Sequence, residues 1–205
     1  MRKTIILLLL LLPAMAFAQS AAVEFLDKAV AAMKADAAVQ MDYSSTVYDE
    51  NGKAVQTDKG VMRLDGNRYS LLMDEMKVWC NGKVQWSYMS SVNEIYITDA
   101  ASDEAQNMSP LYIMEKFRDG FAASMEKKGN ATDIVLESAG GDDNINKVLL
   151  RFGNGGRLEL MCIYMAGQGR IEVLLDEYTA HCSFPDSVYE CPVEDFPSAE
   201  VVDMR

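Results

Sequence analysis

The chain has 205 residues, a formal charge of −12 and a sequence pI of about 4.5. That length holds one domain with a real core. Its acidity argues against nucleic acid and against adhesion to anionic lipid surfaces.

Residues 1–18 read as a secretory leader rather than as fold. Arg2 and Lys3 make a basic start, and Ile5–Leu12 is an apolar run too short to span a bilayer. Ala16-Phe17-Ala18 is a small-x-small cleavage site. Gln19 follows where a lipoprotein would carry cysteine, so the expected product is exported, unlipidated and periplasmic. Residues 19–205 are then a single domain, and loss of Arg2 and Lys3 takes the formal charge from −12 to −14.

The first expected element is a helix from Ser20 to about Asp36, with Ser20 as its cap. Phe25, Leu26, Ala29, Val30 and Met33 recur at helical spacing and form one apolar stripe. Its polar face lacks the Lys/Arg density of membrane-surface helices, so the stripe is expected to pack on a sheet. Val39, Met41, Tyr43, Ser45 and Val47 then alternate with polar residues, which predicts a strand with its odd face inward. Asn51-Gly52 turns it into a second strand of about Lys53–Leu64. The stretch Gly60–Thr98 follows as four short runs of β-formers separated by turns. Asn81-Gly82 reads as the centre of a two-residue hairpin, after which Val84, Trp86 and Tyr88 share one face.

Asp99–Asn107 is acidic and polar and reads as a loop. Ser109-Pro110 opens a second expected helix, with Leu111, Met114, Phe117 and Phe121 along one side and Gly120 at its end. From Ala131 the pattern is β again, with strands over Thr132–Glu137, Asn146–Phe152, Arg157–Met165 and Arg170–Ala180. No crossover helix separates any pair, so the sheet should be antiparallel. Pro185, Pro192 and Pro197 confine the tail to edges and turns.

Catalytic signatures are missing. There is no Gly-x-Ser-x-Gly elbow and no glycine-rich phosphate loop, so no enzyme activity and no cofactor is expected. Asp142, Asp143, Asn144 and Asn146 read as a polar turn, not as a calcium site. No metal site is expected either, and His181 beside Cys182 reads as structural. Cys80, Cys162, Cys182 and Cys191 include no CxxC pair. An oxidising compartment would permit disulfides, with Cys182–Cys191 the shortest closure, and free thiols fit equally. What stands out is a stock of 14 methionines, 9 tyrosines, 7 phenylalanines and 2 tryptophans. Methionine suits surfaces that accept varied apolar partners, although the same side chains also fill ordinary cores.

The segment Trp79-Cys-Asn-Gly-Lys-Val-Gln-Trp-Ser-Tyr88, followed by Asn93-Glu-Ile-Tyr-Ile-Thr98, resembles the bacterial outer-membrane lipoprotein carrier family. Asn81-Gly82-Lys83 and Trp86-x-Tyr88 match its Asp-Gly-Lys-x-x-Trp-x-Tyr pattern, and Arg68-Tyr69 its basic-aromatic pair. The likeness runs on to Phe184-Pro-Asp-Ser-Val-Tyr189 and the closing Val-Val-Asp. It implies an α+β, mainly antiparallel fold: an unclosed, strongly curved barrel of about ten or eleven strands, its concave face covered by helices. It also implies a non-enzymatic, monomeric carrier of acylated lipoproteins, with an inner-membrane release complex and an outer-membrane acceptor as partners. On this reading Leu64, Tyr69, Leu71, Met73, Val78, Trp86, Tyr88, Ile95, Ile97, Met114 and Phe117 line an acyl-chain cavity. The family's Arg-Pro pair, linked to the lid, would fall near Asp65-Gly66 and is absent. Arg63 and Arg68 stand in as lid candidates, together with Tyr69. That departure keeps two alternatives open: a carrier of another hydrophobic ligand, and a lipid or stress sensor acting through a protein partner.

Overall fold

A computed structural model describes residues 19, 21–106, 121–138 and 145–205. The leader, the Ser20 cap, the expected Ser109-Pro110 helix with Met114 and Phe117, and the Asp142–Asn144 turn lie outside the described residues.

Helix α1 covers 21–35. It is followed by β1 (Ala38–Tyr48), β2 (Ala54–Asp65), β3 (Arg68–Met73), β4 (Met76–Cys80), β5 (Val84–Met89) and β6 (Glu94–Asp99). After a one-turn helix α2 (Asp103–Gln106) come β7 (Phe121–Lys128), β8 (Ala131–Ser138), β9 (Ile145–Phe152), β10 (Leu158–Met165), β11 (Gly169–Cys182) and β12 (Glu200–Asp203). These twelve strands form one curved, unclosed sheet in the order β12-β6-β5-β4-β3-β2-β1-β11-β10-β9-β8-β7. Sequence neighbours are spatial neighbours in both halves, and the long β1–β11 ladder joins the halves. Among the described residues, every pairing is antiparallel except β12 on β6.

Three elements depart from the sequence reading. Part of the expected Asp99–Asn107 loop is the short helix α2, where the Ser102 hydroxyl accepts from the Ala105 N–H (3.2 Å). Phe121 opens a strand instead of closing a helix: β7 pairs with β8 from Phe121–Ser138 through Lys128–Ala131. Its Ala, Ser, Met, Glu and Lys residues carry no strong β preference, so the ladder with β8 decides its conformation. The β4–β5 turn is also shifted by one residue. The Asn81 N–H donates to the Val84 carbonyl (3.2 Å), and the Asn81 side-chain oxygen accepts from the N–H groups of Lys83 and Val84 (3.0 Å each). Gly82 and Lys83 are therefore the central pair, and Gly82 takes the left-handed backbone at φ +86°.

The core lies between α1 and the sheet. Ala22, Leu26 and Ala29 pack on Phe121, Ala123, Ile134, Leu136, Val148, Leu150 and Phe152, with Phe25 edge-on to Phe152 at 5.0 Å. Further along the helix, Val30 and Met33 reach a second cluster of Val39, Met41, Leu64, Tyr69, Val78 and Cys80. The inward odd face expected for β1 is the face α1 covers.

The opposite face has its own cover. The chain after β11 runs back over β2–β6, and β12 then adds to the β6 edge. Arg68 ion-pairs with Asp65 and with Asp186 (2.6 Å), and its guanidinium lies 4.7 Å from the Tyr189 ring centre. Arg63 sits over Phe184 at 5.7 Å and donates to Gln40 (3.0 Å). Phe196 packs against Trp79 (6.0 Å) and Tyr88 (4.4 Å). The prolines do hold this tail to turns, yet its aromatic residues make it a packed layer.

All four cysteines are free thiols. Cys182 donates to the Thr179 carbonyl and Cys162 to Glu172, so neither faces a thiol partner. His181, one residue before the end of β11, gives its backbone N–H to the Asp36 carbonyl (3.1 Å) at the foot of α1.

Candidate functional site

The register of β2–β6 arranges the helix-side face in cross-strand rows. The first row is Leu64, Tyr69, Cys80, Gln85 and Thr98. All five are buried. The second is Met62, Leu71, Val78, Ser87 and Tyr96, of which only Val78 is fully buried. The third runs from Gly60 to Met73, then to Met76, Met89 and Glu94, all of which keep partial or greater exposure. Four methionines thus lie beside one another on a half-covered wall.

The first row is closed from above. Tyr69 directs its hydroxyl at the Gln85 side-chain oxygen and at the Ala105 carbonyl of α2 (3.1 Å). Ala105 is itself buried. Burial holds the Tyr69 phenol well above its ordinary range, so it stays a hydrogen-bond donor. This one contact ties the sheet to the chain just before residue 107.

The expected lining residues divide between two faces. Leu64, Tyr69, Leu71, Met73 and Val78 stand on the helix side. Trp86, Tyr88, Ile95 and Ile97 point the other way: Trp86 lies between Trp79 and Ile97, and Tyr88 between Lys77 and Ile95. Ile95 is fully buried, and Tyr88 stacks on Phe196. The physical reason is the tight turn. A two-residue loop pairs an even-numbered residue of β4 with an odd-numbered one of β5, as Val78 with Ser87. Val84, Trp86 and Tyr88 do share a face, but it is not the face of Val78. Arg63 and Arg68 likewise stand on the back face, where they hold the C-terminal segment, while Tyr69 alone of the lid candidates faces α2. The residues that the turn brings to the helix side instead are Ser87 and Met89, with Met62, Met76 and Tyr96 beside them. Counting alternation through the hairpin would have found them.

Two hollows flank this wall. One, of about 240 Å³, lies under the end of α1 between Ala29, Met33, Met41, Phe152 and Leu158, with Tyr178, Asp36 and Arg157 at its rim. Tyr178 donates to Asp36 (2.7 Å), and Arg157 lies over its ring at 4.9 Å. The other, of about 510 Å³, is an open groove around Val61 and Leu72, with Asp42, Lys59, Lys77 and Glu177 along it. Its charged walls suit solvent better than an acyl chain. Among the described residues, no group of three or more His, Cys, Asp or Glu side chains is placed to hold a metal ion.

An open, curved sheet with one helix against its methionine-rich face defines the half-barrel class of folds. Residues 14–155 match the family described as outer membrane lipoprotein carrier protein LolA, and the chain belongs to that family. A curated outer-membrane lipoprotein carrier protein from Shewanella sp. (strain MR-7) is 32% identical over 123 residues. That alignment spans 57% of this chain and 58% of the relative, less than two thirds of its length. Among solved structures, an uncharacterized conserved protein from Thermus thermophilus shares the fold, with a TM-score of 0.58 at 11% identity over 88% of this chain and 97% of that one. A LolA superfamily protein from Nitrosomonas europaea aligns with a TM-score of 0.44 at 11% identity, over 84% and 98% of the two chains.

Proposed function

We propose that residues 1–18 are a cleaved export signal and that residues 19–205 act in the periplasm as one non-enzymatic, monomeric carrier domain. It shields the acyl chains of lipoproteins on their way toward the outer membrane. The observation that carries this reading is the half-covered methionine wall of Met62, Met73, Met76 and Met89. Flexible, polarisable side chains on a curved surface accommodate hydrocarbon chains of varied shape. Binding is driven by apolar burial, at about 25 cal/mol per Å². Release requires a cover that lifts, and the Tyr69–Ala105 contact is where we place its latch. Leu64, Leu71 and Val78 belong to this wall, and Met114 and Phe117 are proposed as its facing side. Trp86, Tyr88, Ile95 and Ile97 support it from behind. Partners on this reading are an inner-membrane complex that loads the carrier and an outer-membrane acceptor.

The test is competition for a fluorescent acyl probe. Affinity should rise with chain length, since each buried CH₂ contributes ~0.8 kcal/mol. It should change little with salt, because an acidic surface offers few partners to anionic head groups. A folded protein that binds no acylated ligand of any length defeats the carrier reading.

One observation favours a second reading. Arg63 and Arg68 are committed to Phe184, Tyr189 and Asp186 on the back face, so neither is free to latch a lid. A family member with another hydrophobic cargo, or one that reports lipid to a partner protein, needs no such latch. A tight one-to-one complex with a signalling protein, in place of co-purifying acyl chains, would favour it.

A further inference from the structure

Tyr43 carries a hydroxyl that the fold does not use. The side chain is 5% exposed, and its oxygen is buried with no hydrogen-bond partner. It lies on the helix-side face, where Tyr43 pairs with Gly60 and Gly60 with Met73. A Cβ at Gly60 would stand 2.4 Å from the hydroxyl oxygen and 2.5 Å from Cζ. The ring therefore lies across β2 in the space that Gly60 leaves empty, with its hydroxyl at the head of the row that continues through Met73, Met76 and Met89. Covering a strand glycine needs only an aromatic ring. Phenylalanine would cover it without burying an unpaired hydroxyl, which is costly and uncommon in native interiors. Burial, reinforced by the negative charge of Asp58, holds the phenol above its ordinary range and keeps it a donor.

We propose that the Tyr43 hydroxyl is the donor that reads the carbonyl oxygen of an acyl ester or amide whose hydrocarbon chain lies across Met73, Met76 and Met89. The inference rests on the carrier reading and narrows it from apolar chains in general to acyl groups. Strands lie about 4.8 Å apart, so a chain crossing this row passes over one methionine-bearing strand after another once its carbonyl is held at β2. An alkane of equal length would find the same wall and leave the hydroxyl unpaired.

The experiment compares a long-chain methyl ester with the alkane of the same chain length, each competing for a fluorescent acyl probe. The wild-type protein should prefer the ester roughly fivefold to tenfold, the net worth of one hydrogen bond. In Tyr43→Phe that preference should vanish with alkane affinity unchanged, and the unfolding midpoint should hold or rise, because no internal bond is lost. Gly60→Ala is the second variant. Its methyl group displaces the hydroxyl without removing it, and the preference should again be lost. A preference that survives in Tyr43→Phe, or equal wild-type affinity for ester and alkane, overturns the inference and leaves the carrier reading standing. Wild-type protein that binds neither takes down both.

Discussion

The helix-side face of this sheet has two halves, and they are packed for different tasks. Under the first part of α1, Ile134, Leu136, Val148 and Leu150 are completely inaccessible, and Phe25 and Phe152 close the layer. On β2–β6 only the first cross-strand row is wholly buried; the next two are half-covered and carry Met62, Met73, Met76 and Met89 in place of a close-packed branched layer. Close-packed, branched side chains fix one arrangement, whereas thioethers leave room for several. The β7–β10 half is therefore packed for stability, and the β2–β6 half is the one on which we propose the ligand lies. The same division separates the two faces of β4–β6. Their back is filled by Trp79, Ile95 and Phe196, which sets a packed layer behind the thin methionine wall.

Breaking the stable half should have the largest effect. Leu150→Ala removes a fully buried side chain from the layer under α1 and should cost ~3–5 kcal/mol in a denaturant melt. Acyl-probe affinity of the remaining folded protein should not change. An equal loss of binding would erase the distinction between the halves.

Next in size is the ion pair on the back of that half. Asp133 is 1% exposed, receives two hydrogen bonds from Arg151 (2.7 and 2.8 Å) and lies 3.2 Å from Lys128. Arg151→Met leaves this carboxylate with Lys128 alone and should cost about 2–3 kcal/mol. The Arg151 hydrogen bonds, helped by Lys128, hold the Asp133 carboxyl below its usual range. A depressed carboxylate stabilises the fold above its unfolded pKa of about 3.9 and loses that contribution as pH falls through the lower folded value. The gap between wild type and Arg151→Met should thus be full at neutral pH and shrink only in acid. A gap independent of pH would assign the loss to packing.

Two smaller effects sharpen the contrast on the ligand half. Trp86 is only partly buried on the back face, so Trp86→Ala should fall short of the ~3–5 kcal/mol of a full aromatic truncation. It should also leave probe affinity intact. Leu71→Trp places bulk in the middle row of the wall. It should change stability by less than about 1 kcal/mol, because a half-exposed site can adjust, yet weaken probe binding at least several-fold. Tight binding by Leu71→Trp would move the ligand off this wall.

Much of the architecture was legible before any coordinates. The α1 stripe of Phe25, Leu26, Ala29, Val30 and Met33 and the period-two patterns of β1 and β8–β11 follow from burying one face of an element with a fixed repeat. The antiparallel sheet follows from turns too short for crossovers, and the carrier family was readable in the Asn81–Tyr88 segment. Local pattern could not say which side of the sheet a residue would meet, or what would cover it there. The family resemblance put Trp86 and Tyr88 on the ligand wall. Their face is instead the floor beneath the C-terminal segment, since Phe184, Tyr189 and Phe196 come back to it from the far end of the chain. Strand β7 is fixed by pairing with β8 against its own weak preference. The orphaned Tyr43 hydroxyl exists only because Gly60, on another strand, leaves a side-chain space for it. Alternation and turn chemistry act over a few residues and are written in the sequence. Face, cover and unpaired groups arise between segments distant along the chain, and only the tertiary structure decides them.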